Sequence, residues 1–272
     1  HGVWVDAEAG LGLAHRRLSV IDLSAAGYQP MISADGRYVI IYNGEIYSHE
    51  EMRQALTARG VSFRGHSDTE VMLESIAAFG IEKTLQQLIG MFAIALWDRR
   101  ERTLTLVRDR LGIKPLYWAK FGDLFIFGSE LKALRAHPGW TPRINRGAVA
   151  SYMRLAYVPA PSTIYEDVHK LEPGTMLTLP AGGEPRITHY WNAREAALAG
   201  LRDPIEGSDS ELTDALGGLL KDAVKRRMIA DVPLGAFLSG GVDSSAVVAL
   251  MQDANPGKVK TFTIGFDNAD YD

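Results

Sequence analysis

A glycine-rich turn, Ser239-Gly-Gly-Val-Asp-Ser-Ser245, separates an almost wholly apolar run, Val232 to Leu238, from an Ala/Val/Leu-rich stretch, Ala246 to Met251. The apolar run has the pattern of a strand buried on both faces in a parallel sheet, and the stretch after the turn is helical. Val259 to Phe266 is apolar again, so strand, turn, helix and strand open a right-handed βαβ unit. Gly240 and Gly241 let the backbone approach a ligand, and the free N–H groups and positive dipole end of the helix face the same point. A phosphate group suits that point. The Lys of the common loop G-x-x-x-x-G-K-[ST] is missing, and Asp243, Ser244 and Ser245 take its place. A plainer reading, a tight turn with Asp243 and Ser244 capping a helix, stays open.

Ahead of this unit the pattern differs. Leu11 to His15, Tyr38 to Tyr42, Phe92 to Trp97, Thr103 to Val107 and Leu124 to Gly128 are aromatic or branched runs with strand character. A hairpin loop over Trp97 to Thr103 points to an antiparallel sheet. Helical periodicity covers Ser48 to Arg59 and Thr69 to Leu88, the second opened by a Ser67/Glu70 capping box. Leu171 to Leu179 reads as a turn plus strand. Prolines at 138, 142, 159, 161, 173, 180, 185 and 204 break long elements from about Ala136 onward, and Ala193 to Gly207 is the expected linker. Ser210 to Met228 then places Leu212, Leu216, Leu219, Leu220 and Val224 on one helical face.

The 272 residues suggest about two domains at roughly 150 residues each. Twenty-nine basic against 33 acidic side chains give a net charge of −4, which argues against a nucleic-acid binder held by phosphate contacts. No apolar run approaches the roughly 20 residues of a membrane span, no signal segment opens the sequence, and the cytoplasm is the expected location. There are no cysteines, which excludes disulfides, thiolate metal sites and a cysteine nucleophile within these residues. His1 in place of Met, and a C-terminus directly after a strand-like run, are read as the marks of a fragment.

Further motifs carry a resemblance. Leu13-Ala-His-Arg-Arg-Leu-Ser-Val-Ile-Asp22, Tyr42-Asn-Gly-Glu-Ile-Tyr47, Ser67-Asp-Thr-Glu70, Gly90-Met-Phe-Ala93 and Arg108-Asp-Arg-Leu-Gly-Ile-Lys-Pro-Leu-Tyr117 resemble the glutaminase domain of glutamine-hydrolysing asparagine synthetases. The S-G-G-x-D-S turn resembles the PP-loop of ATP pyrophosphatases, which follows that domain in the same family. The resemblance implies an α+β N-terminal-nucleophile sandwich over 1–192, a linker over 193–207, and over 208–272 the start of an α/β PP-loop domain. It implies glutamine, aspartate and ATP as substrates, with Mg²⁺, no nucleic-acid or membrane partner, and a homodimer admitted but not fixed by the residues.

The same resemblance assigns residues. Arg17 matches the clamp for the glutamine α-carboxylate, with the backbone of Leu18, Ser19, Val20 and Ile21 beside it. Asn43 and Gly44 match the oxyanion hole, and Glu45 and Asp68 the receivers of the substrate ammonium. Leu238 and Ile264 match adenine contacts, Ser239, Gly240, Gly241, Val242, Asp243, Ser244 and Ser245 the phosphate loop, and Asp243 a Mg²⁺ ligand. The residues alone leave alternatives: Arg17 paired with Asp22, Asn43-Gly44 as a hairpin turn, Asp68 complementing a helix dipole, and Leu238 and Ile264 as core. The family nucleophile is an N-terminal cysteine, so this piece alone is expected to be inactive. A related ligase acting on another carboxylate, and a non-catalytic glutamine- and ATP-binding module, are the alternative functions.

Overall fold

A computed structural model describes residues 2–265, which divide into two units: 2–18 with 24–197, and 19–23 with 198–265. In the first unit, β1 (Gly2–Asp6) and β2 (Leu11–His15) form a hairpin, followed by β3 (Met31–Ile32) and β4 (Tyr38–Ile46). Helices α1 (His49–Thr57), α2 (Asp68–Phe79) and α3 (Ile81–Gln87) come next, then β5 (Gly90–Asp98) and β6 (Thr103–Arg108). β7 (Tyr117–Phe121), β8 (Leu124–Gly128), α4 (Leu131–Arg135), α5 (Arg146–Leu155), β9 (Val168–Lys170), β10 (Thr175–Pro180) and β11 (Arg186–His189) complete the unit. The large sheet runs β11-β10-β6-β5-β4-β3 with antiparallel pairing, and the hairpin expected between Trp97 and Thr103 joins β5 to β6.

Strand period two builds the layers. Along β4, Tyr38, Ile40 and Tyr42 face one core, with Met52, Leu56, Val71, Met72 and Ile76 of the helices. Val39 and Ile41 face the opposite core, with Leu13, Trp97, Leu106, Leu116 and the aromatic side chains of β7 and β8. The outer face of β7-β8-β9 packs Ala119, Ile126 and Val168 on Leu134 and Trp140. Helices, sheet, sheet and helix thus form the expected α+β sandwich.

Several local expectations change. The helix expected over Thr69 to Leu88 is two helices, because Gly80 takes φ +82°, outside the helical range. Ser67 caps α2 by accepting from the Glu70 N–H, but the Glu70 carboxylate accepts from the N–H groups of Arg64 and Gly65 instead of closing the capping box. Ser67 is fully buried, so Ser67→Ala should lower stability by about 1–2 kcal/mol, read as a lower urea midpoint at unchanged m-value. Residues 193–207, expected as a linker, carry α6 (Ala193–Arg202), and α5 forms within the proline-rich region.

In the second unit α7 (Asp209–Arg226), with a complete Ser208/Glu211 capping box, packs on α8 (Val242–Ala254). β12 (Gly235–Phe237) pairs in parallel with β13 (Lys260–Phe262). The doubly buried strand expected over Val232 to Leu238 is shorter, and Phe237 is 77% exposed, because this sheet has two strands among the described residues. Phe266 lies outside the described residues.

Candidate functional site

Asn43 and Gly44 do not form a turn: they lie inside β4, opposite Ala93 and Phe92 of β5. A Cβ at Gly44 would sit 2.1 Å from the Met91 carbonyl oxygen and 2.8 Å from the Phe92 Cα, so the close strand approach requires glycine. The Asn43 Nδ2 donates to the Ser129 hydroxyl at 3.2 Å. Phe92 is itself fixed by Asp109, whose buried carboxylate accepts from the N–H groups of Phe92, Ile113 and Lys114 at 2.9–3.1 Å. Arg108 donates to the carbonyls of Gly112, Lys114 and Leu171. The charged run from Arg108 to Lys114 therefore folds around its own side chains and buttresses the strand beside Gly44.

Asp68, at the start of α2, comes to the same strand. Its Oδ2 accepts from the Tyr42 hydroxyl and from the Ile46 N–H, both at 2.9 Å, and its Oδ1 from the Thr69 N–H at 2.8 Å. These two donors on β4 flank Asn43, Gly44 and Glu45, so the carboxylate spans the triplet. Burial, and secondarily the Asp68 charge, push the Tyr42 phenol well above its usual pKa, which keeps it a donor. Near this strand burial pushes the His15 imidazole below its usual value, with the Tyr42 backbone opposing the shift in part, so it is neutral at pH 7.

Arg17 follows β2, and its guanidinium lies against Gly27, where a Cβ would stand 2.5 Å from Nη2. Leu18 is 90% exposed. Ser19, Val20 and Ile21 belong to the second unit, where the Val20 carbonyl accepts from the Asp231 N–H. The structure thus brings Asn43, Gly44, Glu45 and Asp68 together. An open groove of about 770 Å³ elsewhere, lined by Asp6, Glu8, Asp35, Arg37, Arg99 and Arg102, contains none of the candidate residues. Sequence reading passed over Gln29, Tyr42, Thr69, Asp109 and Ser129 as site supports. Of these, Tyr42, Thr69 and Asp109 lie within the motifs given above and carried a local signal, whereas Gln29 and Ser129 did not.

In the second unit the loop after β12 turns through Gly240 at φ +80° into Gly241, the cap residue of α8. Ser244 Oγ donates to the Gly241 carbonyl and lies 3.1 Å from Ser239 Oγ, which sets the loop shape. Gly241 offers no capping side chain, so first-turn N–H groups are left for an anion. Val242, Asp243, Ser244 and Ser245 make that first turn. Leu238 directly follows β12, and Ile264 lies two residues beyond β13, so both stand at the carboxyl ends of the parallel strands. The Leu238 N–H donates to the Phe262 carbonyl, and its carbonyl accepts from the Thr263 hydroxyl. Ile264 is 74% exposed and not core. Among the described residues no group of three or more His, Cys, Asp or Glu side chains is arranged to hold a metal, and no helix is long and apolar enough to cross a membrane.

The family description "Glutamine amidotransferase domain" matches residues 1–191, and "Asparagine synthase" matches 215–272. A Bacillus subtilis protein named asparagine synthetase [glutamine-hydrolyzing] 1 is 37% identical over 98% of this chain and 40% of its own length. A Mycobacterium bovis protein named putative asparagine synthetase [glutamine-hydrolyzing] is 40% identical over 98% of this chain and 42% of its own. The chain thus spans about two fifths of the length of these relatives. The solved glutamine phosphoribosylpyrophosphate amidotransferase from B. subtilis overlays with a TM-score of 0.44 at 17% identity, covering 89% of this chain and 49% of that one. With one match covering 191 of the 272 residues, the chain belongs to the glutamine amidotransferase family, and its residues 215–272, which include the glycine-rich turn, match asparagine synthase.

Proposed function

We propose that the protein containing this chain makes asparagine from aspartate in the cytoplasm, using glutamine as nitrogen donor and ATP as activator. The observation that carries the reading is the Asn43-Gly44-Glu45 triplet within β4, spanned by the Asp68 carboxylate. In this reading residues 1–192 form the glutaminase domain and residues from 208 onward begin the synthetase domain. Arg17 holds the glutamine α-carboxylate, Glu45 and Asp68 receive its ammonium, and Asn43 Nδ2 with the Gly44 N–H stabilises negative charge on the amide oxygen. Glutamine hydrolysis gives glutamate and ammonia. ATP and aspartate give β-aspartyl-AMP and pyrophosphate, and ammonia displaces AMP to form asparagine.

The turn from Ser239 to Ser245 takes the phosphates. Asp243 is a lone carboxylate in the first turn of α8, a position where it would repel phosphate unless a cation lay between them. That fits Mg²⁺ held by a carboxylate together with substrate oxygens. Full-length protein should release pyrophosphate from ATP with aspartate and not with glutamate or other carboxylic acids, and should release ammonia from glutamine. Pyrophosphate release with a different acid alone would overturn the aspartate assignment. An alanine at position 240 would carry a left-handed φ costing ~1–2 kcal/mol. Gly240→Ala is therefore expected to cut aspartate-dependent pyrophosphate release by roughly tenfold or more and to leave glutamine hydrolysis unchanged.

A further inference from the structure

We propose that Gln29 is a positioning residue for the oxyanion hole, an assignment that rests on the glutaminase reading above. β3 pairs with β4 only through Met31↔Ile40 and Ile32↔Val39. Continued by register, Pro30 falls opposite Ile41 and Gln29 opposite Tyr42. The ladder stops short of that pair, and the Gln29 backbone carbonyl lies against Gly2, so the outward N–H of Tyr42 needs another acceptor. The Gln29 side chain provides it: Oε1 accepts from the Tyr42 N–H at 2.6 Å. A side-chain amide has taken over the edge of the sheet one residue before Asn43.

The other end of that amide makes the arrangement more than a local repair. Gln29 Nε2 donates to the Thr69 hydroxyl at 3.3 Å, the Thr69 N–H donates to Asp68, and Asp68 accepts from the Tyr42 hydroxyl. Gln29, Thr69, Asp68 and Tyr42 therefore close a hydrogen-bonded circuit, with each residue 5% exposed or less. In this dry setting the bonds reinforce one another and resist exchange with water. The circuit holds Tyr42 at its backbone and at its ring, so the residue leading into Asn43 has little freedom to tilt. It also ties the oxyanion strand to the helix bearing Asp68, so the two walls of the site keep a fixed spacing.

Loss of the acceptor should act on the transition state more than on substrate binding. Asp68 would keep the Ile46 and Thr69 N–H groups and so its ammonium-binding role, while the strand ahead of Asn43 would loosen. In full-length protein, Gln29→Met, close in volume but unable to accept or donate, is expected to lower kcat for glutamine hydrolysis roughly tenfold or more while changing KM less than about threefold. Asparagine formation from added ammonia should persist and reports folded protein. A kcat within twofold of wild type, or a loss shared equally by the ammonia-dependent reaction, overturns the proposal. If Gln29→Met does not fold, Thr69→Val opens the circuit at its far end and should lower the same kcat, with Thr69→Ser restoring it; an unchanged Thr69→Val also overturns the proposal. Wild-type protein that fails to hydrolyse glutamine removes the glutaminase reading itself, and this assignment with it.

Discussion

Asn43→Ala in the full-length protein is expected to reduce kcat for glutamine hydrolysis by roughly 10²–10³-fold with a small change in KM. The Asn43 side chain is half-buried on a strand whose ladder to β5 does not depend on it, and the bond it makes, to Ser129, is a single neutral one. Removing it costs the fold little, so the loss should appear in chemistry. An amide donor aimed at the glutamine oxygen matters most when that oxygen becomes charged, which separates kcat from KM. Glutamate release, with ammonia-dependent asparagine formation as the control for folding, measures both. A kcat less than about tenfold below wild type would remove Asn43 from the oxyanion hole.

Gly44→Ala should act the other way, through the fold. The obstruction is backbone: the added methyl group would meet the Met91 carbonyl and the Phe92 Cα, and neither can swing aside as a long side chain would. Separating β4 from β5 loosens the centre of the six-stranded sheet, with both cores resting on it. A destabilisation of more than about 3 kcal/mol is expected, at the upper end for overpacking. Urea unfolding followed by circular dichroism would measure it. Gly12→Ala is the matched control, because nothing lies within 4 Å of a Cβ there. Equal midpoints for the two variants would contradict the role given to the close strand approach.

The expectations that held came from patterns with a single physical solution. Leu11–His15 and Leu124–Gly128 are strands with the expected ends, and α7 differs from its expected span by two residues or fewer at each end. Alternation and helical periodicity state which face is buried, and burial decides the element. Asn43-Gly44 shows the limit of local reasoning: as a dipeptide it suits a turn, yet nine residues of β4 run straight through it because β5 pairs along its whole length. Gly80 shows the reverse. Its neighbours continue a helical pattern, and a positive φ that no periodicity reveals divides it. The proline-rich region hid α5 because proline marks where helices stop and says nothing of the ten residues between. Gln29 had no signal at all, since its importance comes from where the pairing of β3 with β4 ends and from a hydrogen bond to a residue 13 positions further on.

One feature of the chain path bears on how the protein is made. Ser19–Leu23 is part of the second unit, where the Asp22 N–H donates to Asp231 Oδ2 at 2.7 Å across 209 residues of sequence. The backbone therefore passes between units three times, at 18/19, 23/24 and 197/198, and no single proteolytic cut releases either one whole. On a ribosome adding about 5–20 residues per second, Asp22 waits roughly 10–40 seconds for its partner. Throughout that interval the 19–23 segment is synthesised but lacks the contacts with Asp231 that it makes in the finished second unit, so that unit closes around a segment made more than 200 residues earlier.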